Sequence, residues 1–194
     1  MVDVLAGIFI GGSSRRMGQP KGLLVTEDGL RLVDRWRRVL REARVPRIVL
    51  VGEHAAYADV DLDQLPDAVP GQGPAGGLLA LLGAAGSGPA IAVACDMPWP
   101  TAEDVRRLVD APSGPAVLAP RREDRWEPLF ARYDPPRCVP VLERRLARGE
   151  RSLQGLLDEL AAPVAVPPER LDDWDRPEDL PAPLRAQLGG RSSA

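Results

Sequence analysis

From Ile10 to Leu24 the chain reads I-G-G-S-S-R-R-M-G-Q-P-K-G-L-L, with glycines at 11, 12, 18 and 22, arginines at 15 and 16 and a lysine at 21. Glycines without side chains let backbone N–H groups approach phosphate oxygens, and Arg16 and Lys21 supply the opposing charge. The chemistry this suggests is that of a nucleoside triphosphate. The spacing fits neither the dinucleotide fingerprint G-x-G-x-x-G nor the P-loop, which needs G-x-x-x-x-G-K followed by Ser or Thr. A second chemical signal lies in A-C-D-M-P, Ala94–Pro98. There Asp96 follows an apolar run, so its carboxylate should emerge at the end of a strand. Mg²⁺ takes few protein carboxylates and fills its shell with phosphate oxygens and water, so one such Asp beside a triphosphate loop nominates a metal site. A turn or helix-capping Asp is the competing reading. G-Q-G-P-A-G-G-L-L-A-L-L, Gly71–Leu82, combines a turn with the start of an apolar helix, whose free amides suit a base, ribose or anion, or serve only a strand-to-helix turn.

The elements that must position these residues follow from the apolar pattern. Val4–Ile10, Arg47–Val51, Ala90–Ala94 and Ala116–Ala119 are short apolar runs, as expected of strands buried on both faces. Leu32–Ala43, Gly76–Ala85 and Ala102–Val109 carry apolar residues at helical spacing, and Thr101 with Asp104 makes a capping box. Trp126–Tyr133 reads as a further strand, Leu153–Leu160 as a helix and Arg176–Leu188 as a final helix. Alternating strands and helices predict a mainly parallel α/β sheet. In such a sheet ligands bind beyond the carboxyl ends of the strands, where the glycine loop and Asp96 both fall.

The 194 residues are read as a single domain, 1–188, followed by a disordered tail at 189–194. The net charge of −3 and an isoelectric point near 5.3 argue against a nucleic-acid partner. The apolar start at Val4–Ile10 lacks a leader pattern and is too short to span a bilayer, so no membrane partner is expected. Cys95 and Cys138 have neither metal-site spacing nor disulfide-scaffold density, which points to a reduced, cytoplasmic setting. His54, the single histidine, has no companions for a catalytic triad or a metal site and is read as a surface loop residue.

Gly11, Gly12, Ser14, Arg16, Met17, Gly18 and Lys21 match G-G-x-S-x-R-M-G-x-x-K position by position. The chain therefore resembles the family of nucleotidyltransferases similar to the molybdenum cofactor guanylyltransferase. The resemblance extends to A-C-D-M-P, to G-P-x-x-G at Gly73–Gly77, to Glu127–Ala131, to Leu146–Leu153 and to D-D-W-D-R-P-E-D-L at Asp172–Leu180.

The resemblance implies a three-layer Rossmann-like nucleotidyltransferase that couples GTP to Mo-molybdopterin and releases pyrophosphate. It implies Arg16, Lys21 and Asp96 as catalytic residues. Nucleotide contacts would come from Ile10, Gly11, Gly12, Ser13, Ser14, Lys21, Asp67, Gly73, Pro74, Gly76, Gly77 and Asp96. Glu127, Arg151, Asp173 and Asp175 would face the acceptor, although an Arg at a helix start also reads as solvated. Mg²⁺ would sit on Asp96, with Asp175 either a second ligand or a cap for the last helix. Molybdopterin-delivering or molybdoenzyme-chaperone proteins are candidate partners. Gly11-Gly12 favours guanine, whereas Gly52-Glu53 and Phe9-Ile10 depart from the usual family residues and keep open a cytidylyltransferase or a nucleotidyltransferase for another phosphorylated small molecule. A module that binds nucleotide without turnover is the alternative from another class.

Overall fold

The structure is a computed structural model that describes residues 3–11, 20–112, 114–174, 176–181 and 185. The first strand, β1 (Leu5–Phe9), is buried along its whole length. Its side chains alternate: Ala6 and Ile8 enter one apolar cluster, while Leu5 and Phe9 enter the other. A strand covered on both faces needs no polar side, which is why L-A-G-I-F carries none.

Helix α1 (Leu32–Glu42) follows and buries Leu32, Val33, Trp36, Val39 and Leu40. Next come β2 (Arg47–Val51), a two-residue β3 (Gln64–Leu65), α2 (Pro74–Ala85), β4 (Ala90–Ala94) and α3 (Ala102–Val109). α3 opens on the expected capping box. The Thr101 hydroxyl accepts from the Asp104 amide, and the Asp104 carboxylate accepts from the Thr101 amide. The later elements are β5 (Val117–Ala119), a small hairpin of β6 (Arg121–Arg122) and β7 (Arg125–Trp126), β8 (Phe130–Tyr133), α4 (Pro135–Ala147), α5 (Leu153–Leu160) and β9 (Ala161–Pro163).

Among the described residues the central sheet has seven strands in the order β3-β2-β1-β4-β8-β5-β9. β1 pairs in parallel with β2 and β4, and β5 with β9, while β8 runs antiparallel to both of its neighbours. The sheet is thus mainly parallel, as expected. α1 and α3 cover one face and α2, α4 and α5 the other, giving three layers. The strand order reverses direction between β1 and β4, so the carboxyl ends of those two strands open a crevice where ligands characteristically bind.

Two expectations need correction. The strand expected at Trp126–Tyr133 is interrupted after Trp126, and β7 and β8 belong to different sheets. Glu127 turns the chain between them: its amide donates to the Pro120 carbonyl and its own carbonyl accepts from the Phe130 amide. The final helix expected from Arg176 begins instead as a single 3-10 turn, Pro177–Asp179. Arg185 is helical and its amide donates to the Pro181 carbonyl, while the rest of Arg176–Leu188 and the tail at 189–194 lie largely or wholly outside the described residues. Helix α4 carries Pro135, Pro136 and Pro140, a residue type that breaks helix interiors. The first two occupy the first turn, where no amide donor is needed, and only Pro140 lies in the interior.

Candidate active site

The glycine loop leaves β1 at Ile10, which is buried and donates its amide to the Val51 carbonyl at 3.0 Å. Gly11 is exposed at the loop's start. Gly12, Ser13, Ser14, Arg16, Met17 and Gly18 lie outside the described residues. The chain returns at Pro20 and closes a single 3-10 turn over Lys21–Leu23, with the Leu23 amide donating to Pro20 and the Leu24 amide to Lys21.

Across the crevice, the Cys95 amide donates to the Phe9 carbonyl at 3.1 Å, so the segment beyond β4 stays pinned beside β1. Asp96 is the next residue. Its Oδ2 lies 2.8 Å from the Lys21 ammonium, and both side chains are 18% exposed. The glycine loop and A-C-D-M-P, 75 residues apart, therefore meet in one charge-assisted hydrogen bond at the sheet's switch point. This joins the two strongest chemical signals of the sequence.

The turn at residues 71–73 leads into α2. Gly73 has φ 59°, a conformation that glycine adopts without strain, and leads into Pro74 at the exposed N-terminus of α2. Gly76 and Gly77 lie deeper and are buried. A Cβ on Gly77 would stand 2.8 Å from the Val51 side chain and 3.2 Å from an Asp67 carboxylate oxygen. The absence of that atom lets α2 lie close to the sheet and brings Asp67 to the helix start. Burial raises the Asp67 carboxyl above its ordinary value. Gly52 has a backbone role. At φ 104° it lies against the Gly11 backbone and donates its amide to the Leu65 carbonyl.

Glu127 and Asp173 both line a cleft of about 780 Å³, together with Arg121, Arg122, Arg125 and Gln154. Arg122 donates Nε to Glu127 at 2.9 Å and Nη1 to Asp172 at 2.8 Å, a clamp that the sequence did not reveal because its partners are 5 and 50 residues away. The Arg151 guanidinium donates to the Gly71 carbonyl at 3.4 Å and so stands against the turn that leads into α2. Asp175 lies outside the described residues.

The C-terminal segment ties the cleft to the crevice. Directly after Asp173, the Trp174 amide donates to the Asp96 carbonyl at 2.9 Å, and its indole is buried with Leu24, Leu32 and Leu180. His54 is exposed and accepts the Ala56 amide at Nδ1, a local cap as its lack of companions suggested.

Residues 6–164 match the model of the MobA-like NTP transferase domain. The chain belongs to the MobA-like NTP transferase family. As a member of that family it is a nucleotidyltransferase. A protein named "Probable molybdenum cofactor guanylyltransferase" from Opitutus terrae is 40% identical over 193 residues, covering 91% of this chain and 93% of its own. The molybdenum cofactor guanylyltransferase of Pseudomonas putida strain GB-1 is 33% identical, covering 89% and 93%.

Among solved structures, the molybdopterin-guanine dinucleotide biosynthesis protein A of Archaeoglobus fulgidus superposes with a TM-score of 0.72 over 98% of this chain and all of its own, at 23% identity. The 2-C-methyl-D-erythritol 4-phosphate cytidylyltransferase of Thermus thermophilus gives 0.67 at 15% identity, over 97% and 98%. At these identities the likeness establishes the fold. Among the described residues no helix is long and apolar enough to cross a membrane.

Proposed function

We propose that this nucleotidyltransferase is a molybdenum cofactor guanylyltransferase that transfers GMP from GTP to Mo-molybdopterin in the cytoplasm. The observation that carries the reading is the Lys21–Asp96 pair at the β1/β4 switch point, within a chain whose relatives bear that name over nearly their whole length.

The acceptor's terminal phosphate attacks the α-phosphorus of GTP, the bond to the β-phosphate oxygen breaks, and pyrophosphate leaves with that electron pair. A phosphate monoester has a second pKa of about 6, so it arrives already anionic and needs no general base. What remains for the protein is positioning and charge neutralisation. The Lys21 ammonium has three donors, so it can keep its bond to Asp96 and turn another toward the triphosphate. Arg16 would add a second cation, and Gly11–Ser14 would supply backbone amides to the phosphates, while Ile10, whose amide is taken by the Val51 carbonyl, fixes where that loop starts. Asp67, Gly73 and Pro74 hold base and ribose at the start of α2, with Gly76 and Gly77 shaping that start.

A divalent cation belongs to this reading. Among the described residues no cluster of three or more His, Cys, Asp or Glu could hold a metal by itself. An ion on Asp96 would therefore complete its shell with phosphate oxygens and water, the donor set that Mg²⁺ prefers. When bound, Mg²⁺ would supply positive charge to the phosphate oxygens. Asp175 is its proposed second carboxylate. On the acceptor side, Glu127 and Asp173 in the arginine-lined cleft, with Arg151 beside it, would orient the pterin and its phosphate.

Calorimetry with GTP, CTP and ATP in the presence of Mg²⁺ tests the base choice. The reading expects GTP to bind at least about tenfold more tightly than CTP. A preference for CTP would make the enzyme a cytidylyltransferase, and GTP binding without pyrophosphate release in the presence of acceptor would make it a binding module.

A further inference from the structure

Tyr57 is one of the fully buried side chains, yet it lies at the carboxyl edge of the sheet, after β2, and takes no part in the chemistry above. Its hydroxyl oxygen accepts a hydrogen bond from the Gly22 amide at 3.1 Å. Gly22 is the residue after Lys21, inside the same 3-10 turn. The fit there is close. A Cβ on Gly22 would stand 2.7 Å from the Tyr57 hydroxyl and 3.0 Å from the ring, so the turn rests directly on the phenol.

Tyr57 is itself held from behind. Its amide donates to the His54 carbonyl, the His54 ring meets the Tyr57 ring edge-on at 5.9 Å, and the His54 amide donates to the Gln64 side chain on β3. A continuous path therefore runs from β3 through His54 and Tyr57 to the turn that carries Lys21, and ends at the ammonium bonded to Asp96. Burial pushes the phenol's pKa upward, so the hydroxyl stays neutral throughout the physiological range.

We infer that Tyr57 is a positioning residue for Lys21: its hydroxyl fixes the Gly22 amide and thereby aims the lysine at the triphosphate. The inference rests on the reading of Lys21 as a triphosphate-holding residue. A tyrosine 36 positions from that lysine in sequence acts through it, and a purely apolar ring at 57 would fill the same space without fixing the turn.

The test is a double-mutant cycle read as the GTP dissociation constant in Mg²⁺, measured by calorimetry on wild type, Lys21→Ala, Tyr57→Phe and the double variant. Thermal melts confirm that each is folded at the assay temperature. Tyr57→Phe should weaken GTP binding about five- to tenfold, the scale of one well-placed hydrogen bond. In the Lys21→Ala background the same change should shift affinity less than about twofold, because Tyr57 acts through the side chain already removed.

A structural role alone would lower the melting temperature and leave the affinity of the folded protein unchanged, and that result overturns the inference. Equal losses in both backgrounds overturn it as well. Unchanged GTP affinity in Lys21→Ala overturns the reading of Lys21 itself, and with it this inference, so the two failures are distinguishable. Should Tyr57→Phe not fold, Gly22→Ala reads the same contact from the other side. It should weaken GTP binding by a similar factor, and wild-type affinity in that variant would contradict the proposal.

Discussion

At the scale of single residues, the Lys21–Asp96 pair, each partner 18% exposed, makes the sharpest predictions. Lys21→Ala should weaken GTP binding by roughly 10- to 100-fold while the melting temperature changes little, since a partly exposed ion pair contributes only about 1 kcal/mol to stability. Asp96→Asn should leave the fold intact and lower turnover by about two to three orders of magnitude or more, measured as pyrophosphate release. Asp67 predicts a different balance. Burial raises its folded-state pKa above the unfolded value. Its folded form thus favours the proton: stability on this account is greatest below the ordinary carboxylate range and is lost as pH rises through the raised value. At neutral pH the ionised carboxylate is a net cost. Asp67→Asn should therefore raise the melting temperature at pH 7, flatten its dependence between about pH 4 and 7, and weaken GTP binding. A lower melting temperature at pH 7 would contradict this account. Lys21 and Asp96 were legible in the sequence because glycine spacing and a strand-terminal Asp are local signals. Tyr57 and Trp174 were not, because their contacts with Gly22 and Asp96 span 35 and 78 residues and leave no periodic trace.

At the scale of elements, helix α3 is held at both ends by polar groups. Its N-terminus carries the Thr101/Asp104 box. At and beyond its C-terminus the buried Arg132 of β8 donates to the carbonyls of Leu108, Ala111 and Pro112. Arg132→Leu would leave those carbonyls without this partner, the Leu108 carbonyl in a buried setting. It should cost about 2–4 kcal/mol, read as a lowered denaturation midpoint, while Thr101→Ala should cost about 1 kcal/mol. The first device could be read from a four-residue pattern. The second could not, since an arginine in F-A-R-Y looks like an outward-facing strand residue until α3 is placed beside it. The same distinction explains the elements themselves. β1, β2, β4 and β5 announce themselves as apolar runs because both sheet faces are covered. α4 is masked by its three prolines, and the two residues of β3 are too few to carry a pattern. The break between β7 and β8 depends on hydrogen bonds from Glu127 to Pro120 and Phe130.

At the scale of the whole molecule, the order β3-β2-β1-β4-β8-β5-β9 does the essential positioning. It places the carboxyl ends of β1 and β4 side by side, and the C-terminal segment returns to the same point through Trp174. Alternation of strands and helices made a mainly parallel sheet legible. The antiparallel insertion of β8 was not, because strand direction within a sheet is fixed by tertiary crossings rather than by composition. If residues 1–188 form one domain, thermal unfolding should follow a single cooperative transition that coincides by circular dichroism and fluorescence. Both cysteines are buried and free. Burial pushes the Cys138 thiol up to about 12 and raises that of Cys95 still further. Neither should react with a thiol reagent at pH 8 in the native protein, and both should react on denaturation. Transfer of GMP to a pterin phosphate in the Lys21–Asp96 crevice can be read by mass-spectrometric detection of product after incubation with Mo-molybdopterin, Mg²⁺ and either GTP or CTP. The account predicts the guanine dinucleotide from GTP, little product from CTP and almost none with Asp96→Asn; a cytosine product in preference, or undiminished guanine product from Asp96→Asn, would contradict it.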